Sequence, residues 1–356
     1  MKIDFIICFL KGGGAERVLT ILANHFSKKG VQISIITLNE GDAYKLDNSI
    51  DRVRLHGGRF KNHTIRTTNN LRMYYKKKEK RPDCIISFLT RENMSSILIG
   101  KYYNIPVIVC EHINHLQKGN FMDFLGKKFL YRFADQVTVL TNYDVAYYQA
   151  KGAQVTVMPN PCTFQKIDCQ TESRKKNLLA IGSLDRYHHK GFDNLISICK
   201  DVFSSFPNWT LKIVGKGATG QNYLTELVEK NDLVDNIEFM GFRNDVDQLM
   251  QQASIFVLSS RFEGLPMVLL EAMSQGMACI AYDCITGPSD MIQHEENGLL
   301  IEDQNKEAMV EGIKTLIENE ALRKKLGKNA VASIDNYSIE NIAAKWFDLF
   351  KKLGIT

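Results

Sequence analysis

The sequence predicts an α/β protein with two Rossmann-like domains. Its 356 residues are enough for two domains that each bury a core. Short apolar runs such as Lys2–Cys8 and Asn177–Ile181 alternate with helical patterns, which is typical of parallel sheets. Pro159, Pro161 and the polar stretch 165–176 mark a linker between the halves. We therefore expect domains at residues 1–165 and 166–336, followed by a C-terminal helix at 337–356.

The composition is ordinary for a soluble globular protein, with 44% hydrophobic and 24% charged residues. No apolar run approaches the roughly 18 residues that a membrane-spanning helix needs. The apolar N-terminus contains Asp4 and lacks a small-residue cleavage site, so it predicts a first strand and no signal peptide. Eight scattered cysteines without a C-x-x-C pair indicate reduced thiols in a cytosolic protein, and metal binding by them is not expected.

The net charge of +5 divides unevenly along the chain. Residues 1–165 contain 24 Lys and Arg and 13 Asp and Glu, a net +11, whereas residues 166–356 contain 21 and 27, a net −6. A basic first half favours an anionic partner, such as a membrane surface, a phosphate-bearing substrate or nucleic acid. No nucleic-acid-binding motif accompanies the basic residues, so we do not expect a nucleic-acid partner.

Two basic stretches also carry aromatic residues. Residues 57–80 are predicted to be irregular and then basic, and 121–133 to form an amphipathic helix with Lys127, Lys128 and Arg132 on its polar side. Interleaved aromatic and basic side chains are typical of a segment that lies against anionic lipid headgroups. The alternative is an ordinary solvated, charged surface.

A glycine-rich turn, Lys11–Gly14, follows the first predicted strand and precedes a helix predicted over Ala15–Phe26. Gly13 and Gly14 would let the backbone approach a ligand closely, and the helix N-terminus favours a phosphate. The turn lacks the G-x-G-x-x-G dinucleotide fingerprint, which disfavours a dehydrogenase, and Glu16 would compete with a bound anion.

His112 follows the predicted strand Pro106–Cys110. Polar groups at the carboxyl end of such a strand face the crevice of an open α/β sheet, where ligands bind. Glu111 either orients the imidazole or is structural, and a purely structural histidine is the alternative for His112 itself.

Arg186 and Lys190 lie in a loop between the predicted strand Asn177–Ile181 and the next helix. Fixed cations at such a position favour an anionic group, to which arginine gives a forked contact and lysine a point charge. Two exposed loop cations without a ligand are the alternative.

Further candidate binding positions follow later strands of the second half. Gly215 lies in a second glycine turn, and Phe242 and Arg243 follow the predicted strand Asn236–Met240. Asp245-Val-Asp247 reads as D-x-D, a metal signature, but its position at a helix start predicts an N-cap instead.

The stretch Arg261–Glu271 predicts a strand–turn–helix corner. It follows the apolar run Ile255–Leu258, turns at Gly264 and Pro266, and continues as a helix from Met267 to about Gln275. Free backbone N–H groups at such a corner favour an anionic or polar group. Glu263 and Glu271 bracket it and would accept hydrogen bonds from different hydroxyls of one long ligand. An ordinary strand–turn–helix with two solvated glutamates is the alternative.

Glu263 and Glu271, with seven residues between them and Gly-Leu-Pro after the first, resemble the E-x7-E signature of the retaining glycosyltransferases of family 4. The loop Gly182–Gly191 is similar to the family's G-x-L-x-x-x-K-G segment, with one extra residue. The resemblance implies the GT-B fold, in which two Rossmann-like domains face a cleft and the last helix crosses back to the first domain. Trp346 and Phe347 would anchor that helix.

The resemblance also implies roles for individual residues. Glu263 would hold the donor sugar, Glu271 the ribose, Arg186 and Lys190 the diphosphate, and His112 the donor sugar or the forming bond. No metal or other cofactor is implied. The further donor-binding positions implied are Gly13, Gly14, Gly215, Phe242, Arg243, Gly264, Leu265, Pro266 and Met267.

The expected activity is transfer of a sugar, with retention, from a nucleotide-diphosphate sugar, by family frequency a UDP-sugar, to a glycan hydroxyl. The basic first half favours a polyprenyl-diphosphate-linked acceptor in capsule, O-antigen or exopolysaccharide assembly. That would place the enzyme in the cytoplasm, peripherally on the inner face of the cell membrane. The alternatives are a sugar-nucleotide 2-epimerase of the same fold and a non-catalytic partner of another transferase.

Overall fold

A computed structural model describes residues 1–116, 121–167 and 174–355 of the chain. The chain forms two compact units: unit 1 comprises Met1–Pro161 and Ser338–Thr356, and unit 2 comprises Cys162–Tyr337. The division falls a few residues from the boundaries expected from the sequence. Cys169 and the middle of the predicted linker lie outside the described residues.

Among the described residues, unit 1 contains one parallel sheet of seven strands, with the spatial order β3-β2-β1-β4-β5-β6-β7. The order reverses between β1 and β4, and this reversal opens a crevice at the carboxyl ends of those two strands. The strands are β1 Lys2–Ile7, β2 Gln32–Thr37, β3 Asp51–Arg54, β4 Cys84–Phe88, β5 Val107–Cys110, β6 Gln136–Val139 and β7 Val155–Val157.

The helices of unit 1 cover its sheet. They are α1 Gly14–Lys28, α2 His63–Tyr75, α3 Thr90–Tyr103, α4 Phe121–Leu125, α5 Val145–Gln149 and the C-terminal helix Ile339–Lys352, which is α14 in chain order. The C-terminal helix packs on α1. The ring centroid of Phe26 lies 6.5 Å from Trp346, 5.2 Å from Phe347 and 5.8 Å from Phe350.

Two predictions for unit 1 were wrong in detail. Part of the stretch expected to be irregular, His63–Tyr75, is helical, because the Asn62 side chain accepts a hydrogen bond from Ile65 N and Leu71 and Tyr75 are buried. The amphipathic helix expected over 121–133 is not one regular helix. After α4 it continues as a π-helical segment, Gly126–Leu130, and then a 3₁₀ turn.

Among the described residues, unit 2 contains one parallel sheet of six strands in the order β10-β9-β8-β11-β12-β13. Here the order reverses between β8 and β11. The strands are β8 Lys175–Ile181, β9 Thr210–Val214, β10 Ile237–Gly241, β11 Ala253–Leu258, β12 Ala278–Tyr282 and β13 Leu299–Ile301.

The helices of unit 2 pack around a buried apolar core that includes Leu178, Leu195, Ile213 and Ile280. They are α6 Tyr187–Lys190, α7 Phe192–Phe203, α8 Ala218–Lys230, α9 Val246–Gln252, α10 Met267–Ser274, α11 Pro288–Met291, α12 Lys306–Glu318 and α13 Glu320–Ser333. Residues 306–333 do not form one continuous helix. The Asn319 side chain interrupts the stretch by accepting a hydrogen bond from Leu322 N and capping α13.

In the part of the chain that the structure describes, no helix combines the length and the apolar character needed to cross a bilayer.

Candidate functional site

The polar residues of unit 2 gather at the point where its strand order reverses. The loop after β8 carries Lys190, and the segment after β11 carries Glu263. The two loops approach closely at Gly191, whose φ is +67° and where a Cβ atom would lie 1.9 Å from the carbonyl oxygen of Ser259. Only glycine fits this approach. The Ser259 hydroxyl donates to the carbonyl of Lys190 at 2.9 Å and joins the loops.

Lys190 and Glu263 form an ion pair across these loops. The Lys190 Nζ lies 2.7 Å from Glu263 Oε1, and the exposed side-chain fractions are 16% and 9%. The Ser260 hydroxyl donates to the same oxygen at 2.6 Å, and the Thr286 hydroxyl donates to the Glu263 backbone carbonyl. The pair is partly shielded from water, so its charges act more strongly than they would on an open surface.

Arg186 and His189 of the same loop contact each other. Arg186 is exposed, and its Nη2 lies 3.0 Å from His189 Nε2. Burial and the nearby Arg186 cation lower the pKa of His189, which therefore accepts that hydrogen bond as a neutral ring. His188 is exposed. Lys190 is thus the side chain of the inserted segment that reaches Glu263.

The segment after β12 packs against the turn that follows Glu263. Gly287 has a φ of +101°, and a Cβ there would lie 2.7 Å from the carbonyl oxygen of Gly264 and 2.6 Å from Pro266 Cδ. Leu265 is buried, and Met267 is the first residue of α10. Gly264, Leu265, Pro266 and Met267 therefore form the corner that the sequence predicts.

Glu271 lies inside unit 2. Its side chain is 3% exposed and accepts a hydrogen bond from the Thr163 hydroxyl. Sequence reasoning missed Thr163 because it lies more than a hundred positions away, at the start of the unit.

Three more predicted positions follow β9 and β10. Gly215 allows the ends of β8 and β9 to lie close together, since a Cβ there would lie 1.8 Å from the carbonyl oxygen of Gly182. The Phe242 ring is 67% exposed, and the Lys216 Nζ lies 5.4 Å from its centroid. Arg243 donates twice to Asp245, at 2.8 and 2.6 Å.

The prediction that the Asp245 side chain caps the following helix was wrong. Asp245 occupies the position before α9 but makes no capping hydrogen bond with its side chain. Arg243 binds the carboxylate instead and lowers its pKa.

In unit 1 the glycine-rich turn is tied to a tyrosine. Gly13 N donates to the Tyr44 hydroxyl at 3.1 Å, and that hydroxyl donates to the Gly13 carbonyl at 2.9 Å. A Cβ at Gly13 would lie 2.2 Å from a carboxylate oxygen of Glu16, whereas Gly14 has open space. The buried Glu16 carboxylate thus lies beside Gly13 at the start of α1.

His112 follows β5 and stacks on Phe88, with ring centroids 4.9 Å apart and an angle of 16°. Both ring nitrogens are buried and have no hydrogen-bond partner among the described residues. Burial lowers the pKa of His112 to about 4, so the ring is neutral at pH 7. The imidazole therefore has a donor and an acceptor available inside a pocket that Asn160 and Trp346 also line.

Glu111 does not hydrogen-bond to the His112 ring. Its carboxylate forms an ion pair with Lys127 at 2.7 Å and accepts hydrogen bonds from Tyr131 and from Asn93. These contacts join β5 to α3 and the π-helical segment, so Glu111 is structural.

Comparison with known proteins agrees with this description over the whole chain. The sequence profile of "Glycosyltransferase Family 4" matches residues 12–165, and that of "Glycosyl transferases group 1" matches residues 164–332. The chain is 30% identical over 363 residues to a GalNAc-alpha-(1->4)-GalNAc-alpha-(1->3)-diNAcBac-PP-undecaprenol alpha-1,4-N-acetyl-D-galactosaminyltransferase of Campylobacter jejuni, covering 99% of each chain. It is 27% identical to the amylovoran biosynthesis glycosyltransferase AmsD of Erwinia amylovora, covering 95% of each chain.

Solved structures resemble the fold as well. The structure of HepE from Anabaena in complex with UDP and glucose has a TM-score of 0.82 and 18% identity, covering 99% of this chain and all of the other. The two parallel sheets, together with the similarity to these proteins, define a glycosyltransferase of the GT-B fold. The chain belongs to glycosyltransferase family 4.

Proposed function

We propose that this glycosyltransferase transfers a sugar from a nucleotide-diphosphate sugar, a UDP-sugar, to a hydroxyl of a lipid-linked glycan, with retention of configuration. The observation that carries the proposal is the Lys190–Glu263 ion pair at the strand-order reversal of unit 2. A cation there meets a phosphate, and a carboxylate beside it meets sugar hydroxyls. Polysaccharide or lipid-linked glycan assembly is the setting that the relatives' names support.

Lys190 and Arg186 act on the leaving nucleotide diphosphate. Lys190 is held by Glu263 and by its loop, so little reorganisation is needed when negative charge develops on the diphosphate. Arg186 is exposed and supplies a forked donor for phosphate oxygens. With two such cations, this transfer needs no metal ion on the diphosphate.

The remaining donor contacts follow from the corner and the neighbouring loops of unit 2. Glu263 accepts hydrogen bonds from hydroxyls of the donor sugar. The backbone amides of Gly264, Leu265 and Met267 bind near the sugar or phosphate, and Pro266 shapes the turn that holds them. Glu271 accepts a hydrogen bond from the ribose in place of the one that the Thr163 hydroxyl donates to it here. Gly215 and the backbone of Phe242 and Arg243 meet the nucleotide base.

Unit 1 contributes His112, Gly13 and Gly14 and binds the acceptor. The neutral His112 ring donates one hydrogen bond and accepts another, which suits the donor sugar or the forming glycosidic bond. UDP as the nucleotide is supported by the HepE complex, and a diphospho-lipid acceptor by the Campylobacter relative's printed name.

Membrane association is part of the same proposal. Phe121, Phe124 and Phe129 are exposed, and the Lys128 Nζ lies 5.7 and 5.2 Å from the rings of the last two. Aromatic rings with a lysine between them suit the boundary between headgroups and acyl chains. The enzyme would thus bind peripherally to the cytoplasmic face of the membrane that carries its acceptor.

Product analysis tests the activity. The purified chain is incubated with UDP-sugars and with undecaprenyl-diphosphate-linked oligosaccharides extracted from bacteria, and the product is analysed by mass spectrometry and NMR. We expect the oligosaccharide to gain one sugar whose new bond has the anomeric configuration of the donor. An inverted bond contradicts retention, and a new free nucleotide sugar without any extended glycan contradicts glycosyl transfer.

A further inference from the structure

Unit 1 contains a cluster of a thiol, an imidazole and a carboxylate that the proposed transfer does not use. Cys8 follows β1, His63 is the first residue of α2, and Glu92 lies in the first turn of α3. One ligand atom from each residue lies within 4.8 Å of the others. We propose that Cys8, His63 and Glu92 bind one divalent transition-metal ion of the zinc type.

The separations of the ligand atoms fit a single tetrahedral ion. Cys8 Sγ lies 3.8 Å from His63 Nε2, and His63 Nε2 lies 3.7 Å from Glu92 Oε1. Ligands bound to zinc at about 2.0–2.3 Å in tetrahedral geometry are separated by about 3.4–3.6 Å, so a small movement of the side chains completes the site. Thiolate, imidazole and carboxylate are all ligands that zinc accepts in proteins.

The protein contacts at this cluster leave a role for a cation. Glu92 is 3% exposed, and its distance to His63 exceeds that of a direct N–H···O hydrogen bond. A thiol, an imidazole and a carboxylate at these separations offer three ligand atoms to a single ion. Asn39 donates to Cys8 Sγ at 3.1 Å, a contact that orients the sulfur as hydrogen bonds to metal ligands commonly do.

The cluster lies where an α/β sheet ordinarily binds ligands. Cys8 and Glu92 follow β1 and β4, the two strands between which the order of this sheet reverses. Leu89, between β4 and α3, has a φ of +75°, a conformation that costs a branched residue energy and is found near functional sites. Cys8 and His63 are partly exposed, which leaves a path for the ion and a fourth position for water or a substrate oxygen.

Metal binding by the full chain tests this proposal without reference to transfer. The protein is stripped with a chelator, and Zn²⁺ is titrated in competition with a chromophoric chelator. We expect one equivalent to bind. Cys8→Ser, His63→Gln and Glu92→Gln should each weaken binding about tenfold or more, because each removes one of three ligands. His294→Gln, at an exposed histidine of unit 2, should bind like the wild type.

Substitution with Co²⁺ identifies the ligand. We expect the wild type to show thiolate-to-cobalt charge-transfer absorption, and Cys8→Ser to lack it while its circular dichroism matches the wild type. If Glu92→Gln fails to fold, the half-buried Cys8→Ser change still decides the question. Binding below half an equivalent, or an affinity and spectrum that Cys8→Ser leaves unchanged, would overturn the proposal.

Discussion

Glu263 binds Lys190 and Ser260 through the same carboxylate oxygen, so a single residue joins the two loops of unit 2. The glutamate was predictable from its spacing, and so was a cation in the preceding loop. Which of the loop's basic residues meets it was not, because one extra residue changes the direction of every side chain after it.

Replacing Glu263 with Gln should abolish most of the transfer. The change keeps the shape of the side chain but removes the charge that orients Lys190 and that, in the proposed site, accepts hydrogen bonds from sugar hydroxyls. We expect turnover to fall by roughly 10²–10³-fold. Initial rates with a UDP-sugar and a lipid-linked acceptor measure it. Glu238→Gln, which breaks an exposed pair with Lys212 in the same unit, is the matched control and should retain wild-type turnover. Equal rates for the two variants would remove Glu263 from the proposed machinery.

His112 should make folding stability depend on acid. Its folded pKa of about 4 lies below the ordinary value of 6.5, so between these two values the unfolded chain binds more protons than the folded one. The free energy of unfolding therefore falls as pH decreases from about 6.5 to 4, by about 3 kcal/mol for this residue. Denaturant unfolding at a series of pH values measures the slope.

The comparison with His112→Gln isolates this contribution. We expect a shallower slope in the variant, because glutamine does not titrate. Identical slopes in the wild type and His112→Gln would contradict a buried, neutral His112.

At the scale of elements, Gly191 determines how closely the loop after β8 approaches the segment after β11. Gly191→Ala would place a methyl group against the Ser259 carbonyl and force the loops apart. We expect a loss of several kcal/mol in the free energy of unfolding, together with weakened donor binding. Gly57→Ala is the control, since Gly57 has a φ of +71° but open space around it; it should cost only about 1–2 kcal/mol. Equal losses would show that backbone conformation, not the close approach, matters at Gly191.

The strands were the elements most predictable from sequence. Buried parallel strands are continuous apolar runs, and most of those expected here are present within a residue or two. Local polar contacts explain the errors. The Asn62 cap begins a helix in a stretch that was predicted to be irregular, and the Asn319 cap divides residues 306–333 into two helices. The π-helical segment brings Lys127 to Glu111, a partner sixteen positions earlier that no local pattern reveals.

For the whole molecule, the uneven charge is the feature that the sequence alone establishes. The first half carries the positive charge, and the exposed aromatic residues of α4 and the π-helical segment belong to the same half. By contrast, the cluster of Cys8, His63 and Glu92 could not be found from sequence. Its members are far apart along the chain and match no metal-binding spacing, and only the order of the strands brings them together.

The membrane proposal predicts binding to anionic vesicles. Co-sedimentation with vesicles containing phosphatidylglycerol should exceed that with phosphatidylcholine alone and should decrease with salt, because the attraction is largely electrostatic. The double change Phe121→Ser and Phe129→Ser should weaken binding about tenfold or more by removing apolar burial. Val234→Ser, at an exposed apolar residue of unit 2, should have no effect. Binding that ignores both lipid charge and the two phenylalanines would contradict the proposal.

The most direct test of the central claim is a thermal-shift measurement with UDP-, GDP- and ADP-sugars on the wild type, Lys190→Ala and Glu263→Ala. A ligand at about 100 times its dissociation constant adds roughly 2.7 kcal/mol to the free energy of unfolding. We predict that UDP-sugars stabilise the wild type and stabilise Lys190→Ala much less, because the diphosphate loses its cation. No stabilisation of the folded wild type by any of the three classes, or equal stabilisation of the wild type and Lys190→Ala, would contradict a donor site at Lys190 and Glu263.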